Sequence, residues 1–249
     1  MSIEPRLEHR RRQVRETAAR GRLKTVLWTV ALVSVFGIGA WIVQSPWLAV
    51  QQIGLYGVEH SDAAAIVEKA GVRVDVPMLR VRPRTVEELL EQDPWISRAK
   101  VSRTFPHTVE IQIRERTAAA GLQWGTRWLL IAADGMLLGP ADRVPDDAAL
   151  LLLGDVDPGA PGKIVGQGLV GGAVEFVAAL PAPMRSGTVV DLRDGELWSR
   201  TAAVYVRLGS PADMAAKAAA LEAVLADGVP EGSVINLIAP SRPAVEGSS

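Results

Sequence analysis

The sequence lacks cysteine altogether and holds only three histidines. Without cysteine the chain can form no disulfide and can use no thiol as a nucleophile, so core packing must stabilise any folded part. His9, His60 and His107 have no partner at the spacing of a metal site, and the motifs Gly-x-Ser-x-Gly and HExxH are absent. The sequence therefore predicts no catalytic residue, no metal site and no cofactor.

Charge is absent from the nineteen residues 25–43, which follow an arginine-rich N-terminus. An α-helix needs about 20 mostly apolar residues to cross a bilayer, so this run predicts one transmembrane helix. Residues 1–24 have a net charge of +5 and the rest of the chain −6, which predicts a cytoplasmic N-terminus and an extracytoplasmic C-terminal region. A cleaved signal peptide is the alternative, but Trp28, Trp41 and Trp47 near the ends of the run favour a retained anchor.

The basic N-terminal arm is interpreted as a solvated segment that sets topology. Contact of Arg10, Arg11 and Arg12 with nucleic acid or anionic lipid is the alternative. No aromatic residue precedes Trp28, so nothing supports base stacking, and no nucleic-acid partner is expected.

The first 70 residues after the apolar run alternate between strand and helix patterns. Residues 48–58 favour a strand, and Ser61 stands as an N-cap before a helix that ends at Gly71. A second helix is predicted from Arg84 or Thr85 to Gln92, with a capping box formed by Thr85 and Glu88. Strands at 96–103 and 108–115 come next, so the predicted order is strand, helix, helix, strand, strand.

The second half predicts a mixed, strand-rich unit. Asp134-Gly135 indicates a hairpin turn, and residues 213–225 give the clearest amphipathic helix. The other predicted elements are a helix at 170–180 and strands at 119–122, 124–132, 188–192, 197–199, 203–208 and 233–239. Residues 140–168 are interpreted as loops around one short apolar run at 148–153. The fold class is therefore α+β, with a single N-terminal transmembrane helix.

Two motifs in this half are given structural interpretations. Residues 166–171 match GxGxxG as a string, but no buried strand precedes them and Pro181 and Pro183 interrupt the chain after them, so a loop before a helix is expected. Asp134, Asp142, Asp146 and Asp147 lack the spacing of an EF-hand and are interpreted as loop residues.

The chain resembles the FtsQ/DivIB family of bacterial division proteins, with one POTRA domain after one anchor. The residues that carry this resemblance are Gly57, Pro94-Trp95-Ile96, Ala99, Val101, Arg103, Phe105-Pro106, Arg114-Glu115-Arg116, Val206, Leu208-Gly209, Asp213, Lys217, Leu221 and Val224-Leu225. The resemblance implies a basic arm (1–24), a transmembrane helix (25–43), a POTRA domain (48–116), an FtsQ-type β-domain (117–240) with a C-terminal edge strand, and a C-terminal tail (241–249).

The resemblance further implies a non-enzymatic, single-pass scaffold of the division septum. In the family, the C-terminal edge of the β-domain binds the extracytoplasmic part of FtsB, in company with FtsL, by strand addition; FtsW and the septal transpeptidase are further candidate partners. The implied partner-binding residues are Asn236, Leu237, Ile238, Ala239, Ser241, Ala244 and Val245. Asn236 and Ile238 depart from the Asp and Arg of the family, which weakens any charge-based contact there.

The sequence leaves alternatives open for the last strand, for the binding surface and for the function. Residues 233–239 could form an internal strand that ends in a frayed tail, because Pro240 and Pro243 lack backbone donors. The strands at 50–56 and 96–101 are a second candidate binding surface, with core packing as the default for their apolar residues. A membrane-anchored POTRA chaperone or secretion module is the alternative function, and an exported hydrolase lacks a triad.

Overall fold

A computed structural model describes residues 27–39, 41, 46–154, 156–201 and 203–247. Residues 27–39 form a helix, α1, whose side chains are exposed. None of the helices in the described ranges combines the length and the apolar character that a membrane crossing requires. The predicted basic arm (1–24) and parts of the predicted span (25–43) lie outside the described residues.

The first folded unit is a three-stranded sheet covered by two helices. Strands β1 (Gln52–Tyr56), β2 (Ile96–Thr104) and β3 (Thr108–Glu115) lie in the order β1-β3-β2, with β1 parallel and β2 antiparallel to β3. Helices α2 (Ala63–Lys69) and α3 (Pro83–Leu90) precede β2. The predicted order of strand, helix, helix, strand, strand is confirmed.

Both helices of this unit begin differently from the prediction. Asp62, and not Ser61, is the N-cap of α2, and its carboxylate accepts a hydrogen bond from the backbone N–H of Ala65 at 3.4 Å. Helix α3 begins at Pro83, so Thr85 lies inside the first turn and no side chain caps the helix. Proline is well suited to this position because the first helical residue needs no N–H partner.

The core of this unit lies between the sheet and the helices. Its buried side chains come from the strands, from one stripe of each helix, and from the segments before β1 and α3: Val50, Val67, Met78, Val86, Leu90, Ile96, Val101, Val109 and Ile111. The default interpretation of Val50, Ile96 and Val101 as core residues is therefore confirmed.

The second unit is built on a nine-stranded mixed sheet with the order β12-β11-β10-β9-β8-β7-β4-β5-β6. Its strands are β4 (Ala118–Trp124), β5 (Arg127–Ala132), β6 (Leu137–Ala141), β7 (Ala149–Leu152), β8 (Val189–Arg193), β9 (Glu196–Thr201), β10 (Val204–Gly209), β11 (Val234–Asn236) and β12 (Ala244–Glu246). Helices α4 (Leu169–Ala179), α5 (Ala182–Arg185) and α6 (Met214–Ala226) complete it. The predicted hairpin turn at Asp134-Gly135 connects β5 to β6, and the glycines of 166–168 lead into α4 as a loop.

Helices α4 and α6 contribute to the same core as the sheet. This core contains Phe176, Val177, Leu221 and Met214 from the helices, Val190, Leu197, Val206, Leu208 and Ile235 from the strands, and Leu237 directly after β11. The side chains that alternate with these strand residues point to the opposite face. The C-terminal half of the sheet is therefore packed on one face by the helices.

Arg116 joins the two units. Its Nη1 donates to the carbonyls of Pro94 (2.9 Å) and Ile96 (2.8 Å), and its Nε donates to the carboxylate of Asp134 (2.8 Å). Burial alone would raise the pKa of Asp134, but the hydrogen bonds from Arg116 and from backbone N–H groups, together with the charge of Arg116, outweigh it and lower this pKa. One guanidinium therefore fixes the end of the first sheet against the β5–β6 turn of the second.

Candidate partner-binding edge

The last strand of the chain lies at one end of the large sheet. Strand β11 pairs in parallel with β10, and β12 pairs antiparallel with β11. Among the described residues no strand pairs with the other side of β12. The predicted strand at 233–239 is therefore wrong in its bounds, since it stops at Asn236, and the predicted tail at 241–249 contains the edge strand.

The connection between β11 and β12 explains why the predicted strand breaks. The Asn236 side chain accepts a hydrogen bond from the backbone N–H of Ile238 at 3.1 Å, which turns the chain away from β10. The N–H of Arg242 donates to the Ala239 carbonyl at 3.0 Å and closes the turn. Pro240 and Pro243 lie in this connection, where the sheet needs no donor from them.

The pairing of β10 with β11 determines which groups of β12 point outward. Tyr205 N–H donates to the Ser233 carbonyl (3.0 Å) and Leu237 N–H donates to the Arg207 carbonyl (2.9 Å). In a parallel pair, this pattern directs the N–H and C=O of Ile235 at β10. Val234 and Asn236 then pair with β12, and Val245, which lies opposite Ile235, directs its N–H and C=O away from the sheet.

The implied partner-binding residues do not form one surface. Leu237 is fully buried in the core with Ile235, so its side chain is not exposed at the edge, and partner binding by the implied residues stays a prediction. Ile238 is 47% exposed and lies against Gly209, whose φ of +71° no β-branched residue would adopt readily. The other exposed members are Ala239, Ser241, Ala244 and Val245, and Asn236 is half-buried.

A row of side chains on the outer face of the sheet leads to this edge. Trp198 lies opposite Arg207, Arg207 opposite Asn236, and Asn236 opposite Ala244. Arg207 pairs with Glu196 at 2.8 Å, and this hydrogen bond raises the pKa of Arg207. A strand added beside β12 would extend this row.

Arg193 adds a second cationic group to the outer face. Its guanidinium lies 5.2 Å from the ring centroid of Trp198 and 5.6 Å from that of Tyr205, within the range of a cation–π interaction. These residues were not predicted as part of the site. The available signal was the alternation of polar and apolar residues in β9 and β10, which puts Trp198, Tyr205 and Arg207 on the face opposite the core.

Lys217 supports the edge from the other face. It is 2% exposed, and its Nζ donates to the carbonyls of Leu208 (2.7 Å) and Ser210 (2.9 Å). Burial lowers the pKa of Lys217, and Asp213 partly offsets that effect. The lysine therefore satisfies the carbonyls where β10 ends, which accounts for its place in the resemblance motif.

His60 and Asp142, which the sequence offered as candidate ligands, make structural contacts. Within the described residues, no group of three or more His, Asp or Glu side chains could hold a metal ion. His60 instead stacks on Trp95 with ring centroids 4.6 Å apart, and its backbone N–H donates to Glu115 at 2.9 Å. Asp142 forms an exposed ion pair with Arg127 at 3.3 Å, in keeping with a loop residue.

Comparisons with known proteins agree with the resemblance. The family model for the POTRA domain of FtsQ type matches residues 48–116. The chain is 29% identical over 208 residues to the cell division protein FtsQ of Streptomyces griseus, covering 82% of this chain and 100% of the relative. It is 27% identical over 240 residues to that of Streptomyces coelicolor, covering 91% and 89%.

A solved structure also shows a likeness. The major extracytoplasmic domain of the cell division protein DivIB from Geobacillus stearothermophilus is 16% identical, and the match covers 47% of this chain and 98% of that chain. The TM-score of 0.30 is too low to establish a shared fold.

Proposed function

We infer, from the likeness of this chain to the FtsQ/DivIB family of cell-division proteins, that it is a non-enzymatic scaffold of the bacterial divisome. The family model and the curated relatives, each called cell division protein FtsQ, support a role in division. The scaffold would span the cytoplasmic membrane once through residues 25–43, with its N-terminus in the cytoplasm and residues 48–249 outside it at the septum. The charge asymmetry about that run supports this topology.

The scaffold would bind extracytoplasmic segments of partners of the FtsB and FtsL type by strand addition at β12, with FtsW and the septal transpeptidase as further partners in the same assembly. The observation that carries this proposal is the exposed sheet edge at Ala244–Glu246, where Val245 directs both backbone groups outward. Main-chain hydrogen bonds would supply affinity, and side chains at alternate positions would supply specificity. Backbone pairing needs neither the Asp nor the Arg that Asn236 and Ile238 replace.

Co-purification of the tagged full chain with the FtsB and FtsL homologues of its host tests this function. A variant that ends at Arg242 lacks β12, and a variant that ends at Gly247 keeps it and serves as the matched control. Because the side chains of β12 are exposed, the core should survive the deletion, which thermal unfolding checks. We expect capture with the control and loss of capture with the shorter variant. Equal capture by both variants would exclude the edge, and normal septation after depletion of the chain would exclude the division role.

A chaperone or secretion module is the second candidate, because the POTRA unit has an open edge of its own. Strand β1 lies at the end of the small sheet, beside a groove of about 370 Å³ lined by Ile53, Leu55, Val67, Val72 and Val74. Such an edge could receive an extended segment of an exported polypeptide. The same purification distinguishes the two, since recovery of envelope precursors in place of FtsB and FtsL homologues would favour this function.

A further inference from the structure

The loop between α2 and α3 is fixed beside the point where the chain enters β1. Val50 N–H donates to the Val76 carbonyl and Asp75 N–H donates to the Val50 carbonyl, both at 2.9 Å, and Ala49 forms an antiparallel bridge with Pro77. Residue 49 lies only six positions after the predicted membrane span. The loop must therefore lie close to the bilayer if residues 25–43 cross it.

This loop exposes apolar side chains on the membrane-proximal side of the unit. Met78 is fully buried and anchors a short 3-10 turn, Met78–Arg80, while the next residue, Leu79, is 46% exposed. Val74 is 54% exposed, and Trp47, in the segment that pairs with the loop, is 85% exposed. The loop and the segment paired with it therefore present three large apolar side chains to their surroundings.

The loop and the first turn of α3 are also strongly basic. Arg73, Arg80, Arg82 and Arg84 are all exposed, and Asp75 is the one acidic residue in 73–84, so this stretch carries a net charge of +3. Within the described residues, none of the four guanidinium groups forms an ion pair. The positive charge is therefore available to an external anion.

We propose that a juxtamembrane patch, made of Trp47, Val74, Leu79 and the four arginines Arg73, Arg80, Arg82 and Arg84, binds anionic phospholipid headgroups of the membrane that anchors the chain. Tryptophan favours the headgroup level of a bilayer, short apolar side chains insert at the acyl boundary, and arginines attract anionic lipid. The proposal rests on the single-pass topology of the proposed function. It adds a second attachment, which fixes the POTRA unit against the bilayer and so orients the distant β12 edge toward single-pass partners.

The absence of cysteine allows the patch to be tested by single-site labelling of the full chain. Leu79→Cys carries a spin label in the patch, and Ile238→Cys is the matched control, since the two side chains are 46% and 47% exposed. Each labelled chain is inserted into nanodiscs of phosphatidylglycerol and phosphatidylcholine, and collisions of the label with oxygen and with a water-soluble nickel complex are measured. We expect the oxygen-to-nickel collision ratio to be several-fold higher at position 79 than at position 238.

Charge dependence separates lipid binding from other causes of burial. Replacement of one arginine by glutamine, as in Arg80→Gln or Arg82→Gln, should lower the equilibrium constant for attachment of the patch to the bilayer about five-fold. Nanodiscs of phosphatidylcholine alone should lower this equilibrium constant likewise. Equal oxygen-to-nickel collision ratios at positions 79 and 238 would overturn the proposed lipid-binding patch. Shielding of position 79 only after addition of FtsB and FtsL homologues would overturn it in favour of a protein surface.

The two proposals fail in different ways. A chain that does not co-elute with the nanodiscs would contradict the single-pass topology and with it the patch. An inserted chain with a water-exposed label at position 79 would overturn the patch alone. Capture of FtsB and FtsL homologues by Arg80→Gln, measured in parallel, should remain at the level of the unmodified chain.

Discussion

Val245→Pro should weaken partner binding without unfolding the β-domain. Val245 lies opposite Ile235 in a pair that shares no hydrogen bond, so its N–H points away from β11 and is the outward donor of β12. Proline lacks this N–H, and its φ of about −65° remains compatible with an edge strand. The substitution therefore removes a group that only an added strand would use.

The size of the effect comes from one lost hydrogen bond. A backbone hydrogen bond contributes about 1 kcal/mol, and a carbonyl of the partner left without a donor when buried costs about 1–3 kcal/mol. Because 1.4 kcal/mol corresponds to a factor of ten in Kd, binding should weaken about 5- to 150-fold. The free energy of unfolding should change little, since β11 loses no hydrogen bond.

The assay is isothermal titration of the full chain in detergent with the extracytoplasmic segment of its FtsB homologue. Val245→Ala is the control that keeps the N–H and removes only a side chain that is 48% exposed, and it should bind within a few-fold of the unmodified chain. Thermal unfolding of each variant checks the fold. Unchanged binding by Val245→Pro, or equal losses in both variants, would refute strand addition at this edge.

Three further substitutions test the supports of the fold. Burial alone would raise the pKa of Glu115, but hydrogen bonds from Ser61 and neighbouring backbone groups lower it from 4.5 to about 2. The ionised Glu115 therefore stabilises the fold above about pH 4.5, and this stabilisation is lost as the pH falls to 2. In urea unfolding, Glu115→Gln should cost about 3 kcal/mol at pH 7 and little at pH 2. Lys217→Met should cost about 2–4 kcal/mol, since two carbonyls, those of Leu208 and Ser210, lose their donor; an unchanged unfolding midpoint would contradict this. Ser233→Ala should be neutral or stabilising, because its buried hydroxyl has no hydrogen-bond partner among the described residues; a loss above about 1 kcal/mol would show a partner.

Long and regular elements could be predicted from the sequence. Strand β3 was predicted with its observed bounds, because Val109, Ile111 and Ile113 alternate strictly with polar residues. The first unit was recognised as a whole because the spacing between Pro94-Trp95 and the arginines after them is characteristic. In this unit, the periodicity of the strands and the family motif predict the same elements.

The C-terminal edge could be predicted only in part. Strands β11 and β12 have three residues each, too few to show a period, and Pro240 and Pro243 suggested an end where the chain makes a turn. Leu237 could have been assigned to the core from its spacing of two from Ile235, which puts both side chains on one face of a strand. In the structure Ser233, Ile235 and Leu237 are all fully buried. The outward direction of Val245 depends on the parallel pairing of β10 with β11, which no local pattern encodes.

Residue-resolved amide hydrogen exchange of the full chain, with and without the FtsB-type segment, tests the central claim most directly. The amides of Ala244 and Glu246 already pair with β11, whereas that of Val245 faces outward. Strand addition predicts that the partner slows exchange at Val245 strongly and at its two neighbours much less. Exchange at Val245 that stays fast in the saturated complex, with protection elsewhere on the chain, would contradict the account.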